Sequence, residues 1–272
     1  MMRITETVKQ LIIINIIFFV ASNYFVNTGL AYDYLALHMP TSDKFQVWQL
    51  VTHMFMHGGL LHIFFNMFAL FSFGVFLEHL WGTKKFLFFY FSCGLGAALL
   101  HLGVAYFQLQ NVLEQVSYLN LSDSAIHQII NLDIYNAEDY NSFFLSEVNN
   151  IISSAGKTAA LSPEAYQTLF YATELNHSAA VGASGAIYGV LVAFAFMFPN
   201  VELMLMFIPV PIKAKYFVPV LVAIDLYLGV TGKSIFGGGG GVAHFAHVGG
   251  ALIGFIMMWY WKKNQFNNNR WN

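Results

Sequence analysis

The chain has 272 residues, 57% hydrophobic and 10% charged, with a mean hydropathy of +0.59. Soluble domains carry about 25% charged residues, so this composition belongs in a bilayer. A net charge of -2 gives no electrostatic case for a nucleic-acid partner, and Cys93, the sole cysteine, leaves no internal disulfide to form.

A spanning helix needs roughly 20 apolar residues. Six segments are read as spans. The first is Val8–Leu30. Its apolar stretch from Leu11 to Val26 lacks a small-residue cleavage site and reads as a retained anchor. Residues 31–59 form an outer loop whose Tyr32, Tyr34, Phe45, Trp48 and Phe55 suit a membrane interface. The second and third spans are Leu60–Leu80 and Phe86–Phe107. Residues 108–180 are a long outer insertion carrying Glu114, Asp123, Asp133, Glu138, Asp139, Glu147, Glu164 and Glu174 against Lys157. Within it, Ser162-Pro163-Glu164 predicts a helix start: an N-cap, a first-turn proline and an acid at the positive end of the dipole. The insertion reads as a partly helical subdomain or as a solvated spacer. The fourth span, Ser184–Phe198, is short and is extended by Val181 and the Leu203–Phe207 run. The fifth is Tyr216–Val230. Residues Thr231–His244 carry five consecutive glycines, Gly237–Gly241, which suit a mobile cap or a plain flexible connector. The sixth span is Phe245–Trp261. The expected fold is an all-α polytopic membrane protein, one domain over residues 1–272 with the insertion inside it.

Charge placement orients this reading. Arg3, Lys9, Lys84, Lys85, Lys213, Lys215, Lys262, Lys263 and Arg270 fall on one side if six helices alternate. Only Lys44, Lys157 and Lys233 of the 12 basic residues fall on the other. The basic side is cytoplasmic, with both termini on it. With no transit peptide in view, a bacterial plasma or inner membrane is expected.

The chemistry gathers on three spans. Gly182-Ala183-Ser184-Gly185 opens the fourth, where a serine is ordinarily an N-cap. Gly185 and Gly189 make a smooth strip on one helix face. Ser184 and Tyr188 also stand four apart. On the sixth span His247, Gly250 and Gly254 share a face. Two small-residue strips let helix backbones meet, which would bring His247 to Ser184 with Tyr188 on the imidazole. Histidine can activate a serine hydroxyl near neutral pH. The alternative is a histidine bonded across helices for packing. Asp225 is the only acid deep in the spans, and it reads as structural or loop-tethering. His62 and Asn66 lie four apart on the second span. With the Ser184 amide they could hold an oxyanion, or they could simply glue helices. His53, His57, His62, His244 and His247 invite a metal reading, but no His-Glu-x-x-His signature or thiolate pair supports it, no intramembrane acid is spaced to complete a site, and no cofactor is expected. His53 and His57 are expected to bond loop backbone, and His244 to belong to the cap. Glycine directly after the serine departs from the Gly-x-Ser-x-Gly elbow of α/β-hydrolases.

Together these motifs resemble the rhomboid family over residues 8–107 and 180–261. The matching pieces are His53, His57, His62 and Asn66, then Gly182 to Gly185 with Tyr188, then His247, Gly250 and Gly254, in order and on corresponding helices. The resemblance implies a six-helix intramembrane serine protease acting on transmembrane protein substrates among membrane lipids. It implies Ser184 as nucleophile, His247 as base and then acid, and His62, Asn66 and the Ser184 amide as oxyanion donors. Lateral substrate entry around the fifth helix and the cap is implied too. One departure is Trp48-Gln49, where rhomboids often have Trp-Arg.

Overall fold

The computed structural model describes residues 3–136, 139–156, 161–205, 208–232 and 242–265. In chain order the helices are α1 Glu6–Val20, α2 Thr28–Leu35, α3 Gln49–Thr52, α4 Leu60–Ala69, α5 Val75–Trp81, α6 Thr83–Glu114, α7 Asp123–Ile130, α8 Tyr140–Ser154, α9 Pro163–His177 and α10 Ser184–Met197. Strands β1 Glu202–Leu205 and β2 Ile208–Lys213 follow, then α11 Ala214–Thr231 and α12 Val242–Gln265. The protein is a predominantly helical polytopic membrane protein. Among the described residues, Glu6–Phe25, Leu60–Trp81, Thr83–Glu114 and Ala214–Thr231 are long and apolar enough to cross a bilayer, and Ser184–Met197 is a shorter apolar helix.

The chain divides into two compact units. The first comprises residues 1–37, 48–101 and 180–272. Its centre is aromatic: Phe86, Phe89 and Tyr90 on α6 are fully buried with Leu70 and Leu77. Its helices also present large apolar side chains outward, such as Leu61 (72% exposed) and Phe88 (64%). Hydrocarbon, unlike water, solvates such a surface without cost. Cys93 is fully buried against Gly189, where an added Cβ would strike its sulfur.

The second unit comprises residues 38–47 and 102–179. Val116, Ile129, Phe144, Val148, Ile152 and Leu169 form a core of its own. Phe144 meets the Phe170 ring edge-on at 5.2 Å. Two buried polar side chains bond backbone: Thr173 Oγ1 donates to the Ile129 carbonyl (3.1 Å) and Asn176 Nδ2 to that of Ile130 (3.0 Å). As the Ser-Pro-Glu motif predicts, α9 starts at Pro163 with the Ser162 hydroxyl accepting from the Ala165 N–H.

Several boundaries depart from expectation. The first span does not run to Leu30. It closes with a wide π turn, Ala21–Phe25; Val26 is then extended, and the Asn27 side chain caps α2 by accepting from the Leu30 N–H. Residues after α10 do not lengthen it, because Pro199 and Asn200 end the helix and Glu202 to Leu205 pair antiparallel with β2. Helix α12 begins before Phe245, so His244 belongs to the helix and not to a cap. The glycine run Gly237–Gly241 lies outside the described residues, as do Lys157, Lys233, Arg270, Met206 and Phe207.

Candidate active site

Helix α10 starts without a side-chain cap. Ala183 holds the N-cap position and Ser184 is the first helical residue. Freed from capping, the Ser184 hydroxyl lies 2.8 Å from His247 Nε2. The chain before it is held by protein backbone. Leu37 and Ala180 exchange two N–H···O bonds of 2.9 Å, and Gly182 N–H donates to the His53 carbonyl at 2.9 Å. Irregular backbone at membrane depth requires such partners. Gly182 has φ +124°, a region closed to other residues, and a Cβ there would lie 2.8 Å from His62 Nε2.

The glycine strips explain how α10 and α12 meet. A Cβ on Gly250 would land on the Gly185 carbonyl, and one on Gly254 would lie 2.8 Å from Gly189 Cα. Backbone therefore touches backbone, and His247 is carried to Ser184 from 63 residues away. Tyr188 lies flat on the His247 ring, with centroids 4.3 Å apart and planes 8° from parallel.

On α4, His62 Nδ1 accepts from the Gly58 N–H at 3.4 Å. In a neutral ring that leaves the proton on Nε2, the nitrogen that faces Gly182. Asn66 is buried, and its Nδ2 makes no hydrogen bond among the described residues. The His62 Nε2–H donor thus stands beside Gly182, two residues before α10 begins. His53 Nδ1 donates to the Gln49 carbonyl at 2.7 Å, as expected of a loop-bonding histidine. His57 is buried edge-on to His62, with centroids 5.0 Å apart. Gln49, in place of the arginine, donates to the Asp33 carbonyl (3.0 Å). Trp48 Nε1 donates to the Tyr34 carbonyl and the Thr52 hydroxyl to that of Leu35, both at 2.8 Å. The loop is tied to the α2 backbone without a positive charge.

Sequence reasoning missed one residue. Asp225 is not remote from His247: its Oδ1 lies 3.0 Å from His247 Nδ1 and 2.6 Å from His244 Nδ1, and its Oδ2 accepts from the Tyr188 hydroxyl. Its 22-residue separation from His247 conceals this, because the two residues stand on different helices, α11 and α12. The available signal was that an intramembrane acid is costly unless it has a function. Contrary to the expectation that no intramembrane acid completes such a set, Asp225, His244 and His247 offer metal-ligand atoms within 4.8 Å of one another. Ligand atoms around tetrahedral zinc stand roughly 3.3 Å apart. The N···O distances of 2.6 and 3.0 Å are those of hydrogen bonds.

Comparison with known proteins identifies the family. The family description "Rhomboid domain" matches residues 44–109 and 149–264, more than half of the chain. "Rhomboid-like protease 3" of Toxoplasma gondii is 39% identical over 56 residues, 21% of this chain and 21% of that protein. The shared stretch is thus about a fifth of the relative's length. A match of that extent to the domain description, together with glycine-packed helices that join a helix-opening serine to a distant histidine, places this chain in the rhomboid family.

Proposed function

We propose that the protein is an intramembrane serine endopeptidase that hydrolyses peptide bonds in or near transmembrane segments of membrane proteins. The observation that supports this most is the 2.8 Å contact between Ser184 Oγ and His247 Nε2. In this reading His247 Nε2 takes the hydroxyl proton as Oγ bonds to the substrate carbonyl carbon. The carbonyl electron pair becomes an oxyanion, held by His62 Nε2–H, Asn66 Nδ2–H and the Ser184 N–H at the positive end of α10. His247 then gives the proton to the departing amine as the C–N bond breaks. Water attacks the acyl-enzyme by the same route in reverse. Tyr188 steadies the imidazole, and Gly182, Gly185, Gly250 and Gly254 permit the close approach.

Helix α10 has 14 residues. At 1.5 Å each that is about 21 Å, short of the ~30 Å hydrocarbon core, so a helix whose far end meets the cytoplasmic face leaves Ser184 within the membrane thickness. A substrate helix must unwind locally to offer its carbonyl there, which favours small or helix-breaking residues at the cut. The chain is read as multi-pass in a bacterial plasma membrane, with both termini and the basic loops cytoplasmic.

The test is cleavage of a transmembrane reporter by purified protein. Ser184→Ala and His247→Ala should each abolish cleavage while Tm stays near the parent value, and a fluorophosphonate should label the parent at Ser184. Cleavage that persists in either variant, or a parent that neither cleaves nor labels, sinks the proposal. Asn66→Ala should lower kcat about 10²–10³-fold with a smaller change in KM.

A further inference from the structure

Four restraints converge on the His247 ring. Tyr188 covers one face, Ser184 Oγ meets Nε2, Asp225 Oδ1 meets Nδ1, and α12 supplies the backbone. An ionised carboxylate only accepts hydrogen bonds, so a neutral imidazole that bonds to it must carry its proton on Nδ1. The lone pair then falls on Nε2, which faces the serine. The opposite tautomer would put a proton between Nε2 and Ser184 and leave no base.

Asp225 is itself over-determined. One oxygen accepts from both His244 Nδ1–H and His247 Nδ1–H, and the other accepts from the Tyr188 hydroxyl. Asp225 is buried on α11, while the two histidines stand one turn apart on α12. This arrangement is not expected of a merely structural acid. A loop tether would need one bond, whereas here the carboxylate bonds the ring that meets the reacting hydroxyl, the tyrosine stacked on that ring, and His244 one turn away.

We propose that Asp225 is the positioning residue for His247, fixing its tautomer and ring orientation, and that His244 and Tyr188 hold the carboxylate in place. The inference rests on the Ser184–His247 reading and extends that pair to a Ser-His-Asp arrangement completed from α11. Asp225 gains and loses no proton. The proton moves from Ser184 Oγ to His247 Nε2 and on to the leaving amine. Meanwhile the carboxylate stabilises the positive ring formed in between.

The experiment compares full-length parent, Ser184→Ala, Asp225→Asn, Asp225→Glu and His244→Gln in liposomes. It measures kcat and KM on the transmembrane reporter, the rate of fluorophosphonate labelling, and Tm. Asp225→Asn should lower kcat about 10²-fold or more, the scale of general-base assistance, with KM within about twofold. Labelling should slow in proportion. Asp225→Glu should recover at least a tenth of the parent rate, and His244→Gln should lose roughly tenfold by loosening the carboxylate. An Asp225→Asn kcat within about threefold of the parent, with Ser184→Ala inactive, overturns the positioning role alone. An active Ser184→Ala overturns the reading beneath it. Should Asp225→Asn fail to fold, the parent still decides through nitrogen NMR of ring-labelled histidine. A proton on His247 Nδ1 is expected, and a proton on Nε2 in the resting enzyme overturns the proposal. So does chelator-sensitive cleavage restored by Zn²⁺, which would make the same atoms metal ligands.

Discussion

The two units start their helices in different ways. In the insertion unit α7, α8 and α9 are each capped by the residue just before them: Ser122 accepts from Ala125 N–H, Asp139 from Ser142 N–H and Ser162 from Ala165 N–H. In the membrane unit Asn27 caps the short α2, but α4, α10 and α11 have no side-chain cap. The start of α1 is satisfied from afar: Glu78 on α5 accepts from the N–H groups of Thr7 and Val8, at 3.1 and 2.9 Å, and from the Thr83 hydroxyl. The packing contrasts in the same sense. Side chains such as Phe144 fill the insertion core, whereas α10 and α12 meet where side chains are missing. Water rewards local satisfaction of helix ends and burial of apolar bulk. Lipid does not reward burial of apolar bulk and supplies no water to unsatisfied helix ends, so helices there join through close backbone contact and long-range polar bonds.

That contrast can be broken experimentally. Phe144→Ala should cost about 3–5 kcal/mol, read as urea-dependent proteolysis within residues 102–179, without loss of Ser184 labelling. If labelling falls with the insertion core, the two units are not energetically separate. Glu78→Gln removes a charged acceptor of several bonds and should cost about 1.5–3 kcal/mol, read as a lower Tm of the membrane unit. An unchanged Tm would mean that α1 is held by packing alone. Gly250→Ala should cost about 1–3 kcal/mol and depress cleavage, because its methyl would land on the Gly185 carbonyl. Gly103→Ala on α6 has open space around it and should be neutral or stabilising. Equal effects would remove the case for the glycine strips. Ser162→Ala should cost about 1 kcal/mol, confined to α9 in hydrogen exchange. The smallest effect is acid sensitivity of α8. The Ser142 hydroxyl and N–H hold the Asp139 carboxyl below its ordinary value. Its contribution is therefore present above the unfolded value of about 3.9 and is lost as pH falls through the lowered one. Helicity of α8 that is unchanged from pH 5 to pH 2 would remove Asp139 as a cap.

Legibility in the sequence followed the range of the interactions. Local signals read well: Ser162-Pro163 starts α9, and the spacing of Gly185, Gly189, Gly250 and Gly254 implies the approach that brings Ser184 to His247. The break at Val26 and the β1–β2 hairpin were hidden because apolar runs look alike whether they are helical, extended or strand. The place of Asp225 was hidden for a geometric reason. Which face of α11 turns toward α12 depends on tertiary packing, and no residue period in an all-round apolar helix announces it.

The burial of Cys93 against Gly189 has a practical consequence. The folded chain exposes no native thiol to a maleimide or nitroxide reagent. A cysteine introduced at an exposed position such as Tyr171 or Tyr227 would therefore carry the sole label. Spectroscopic reporters can be placed one at a time along α9 or α11 without first removing the protein's own sulfur.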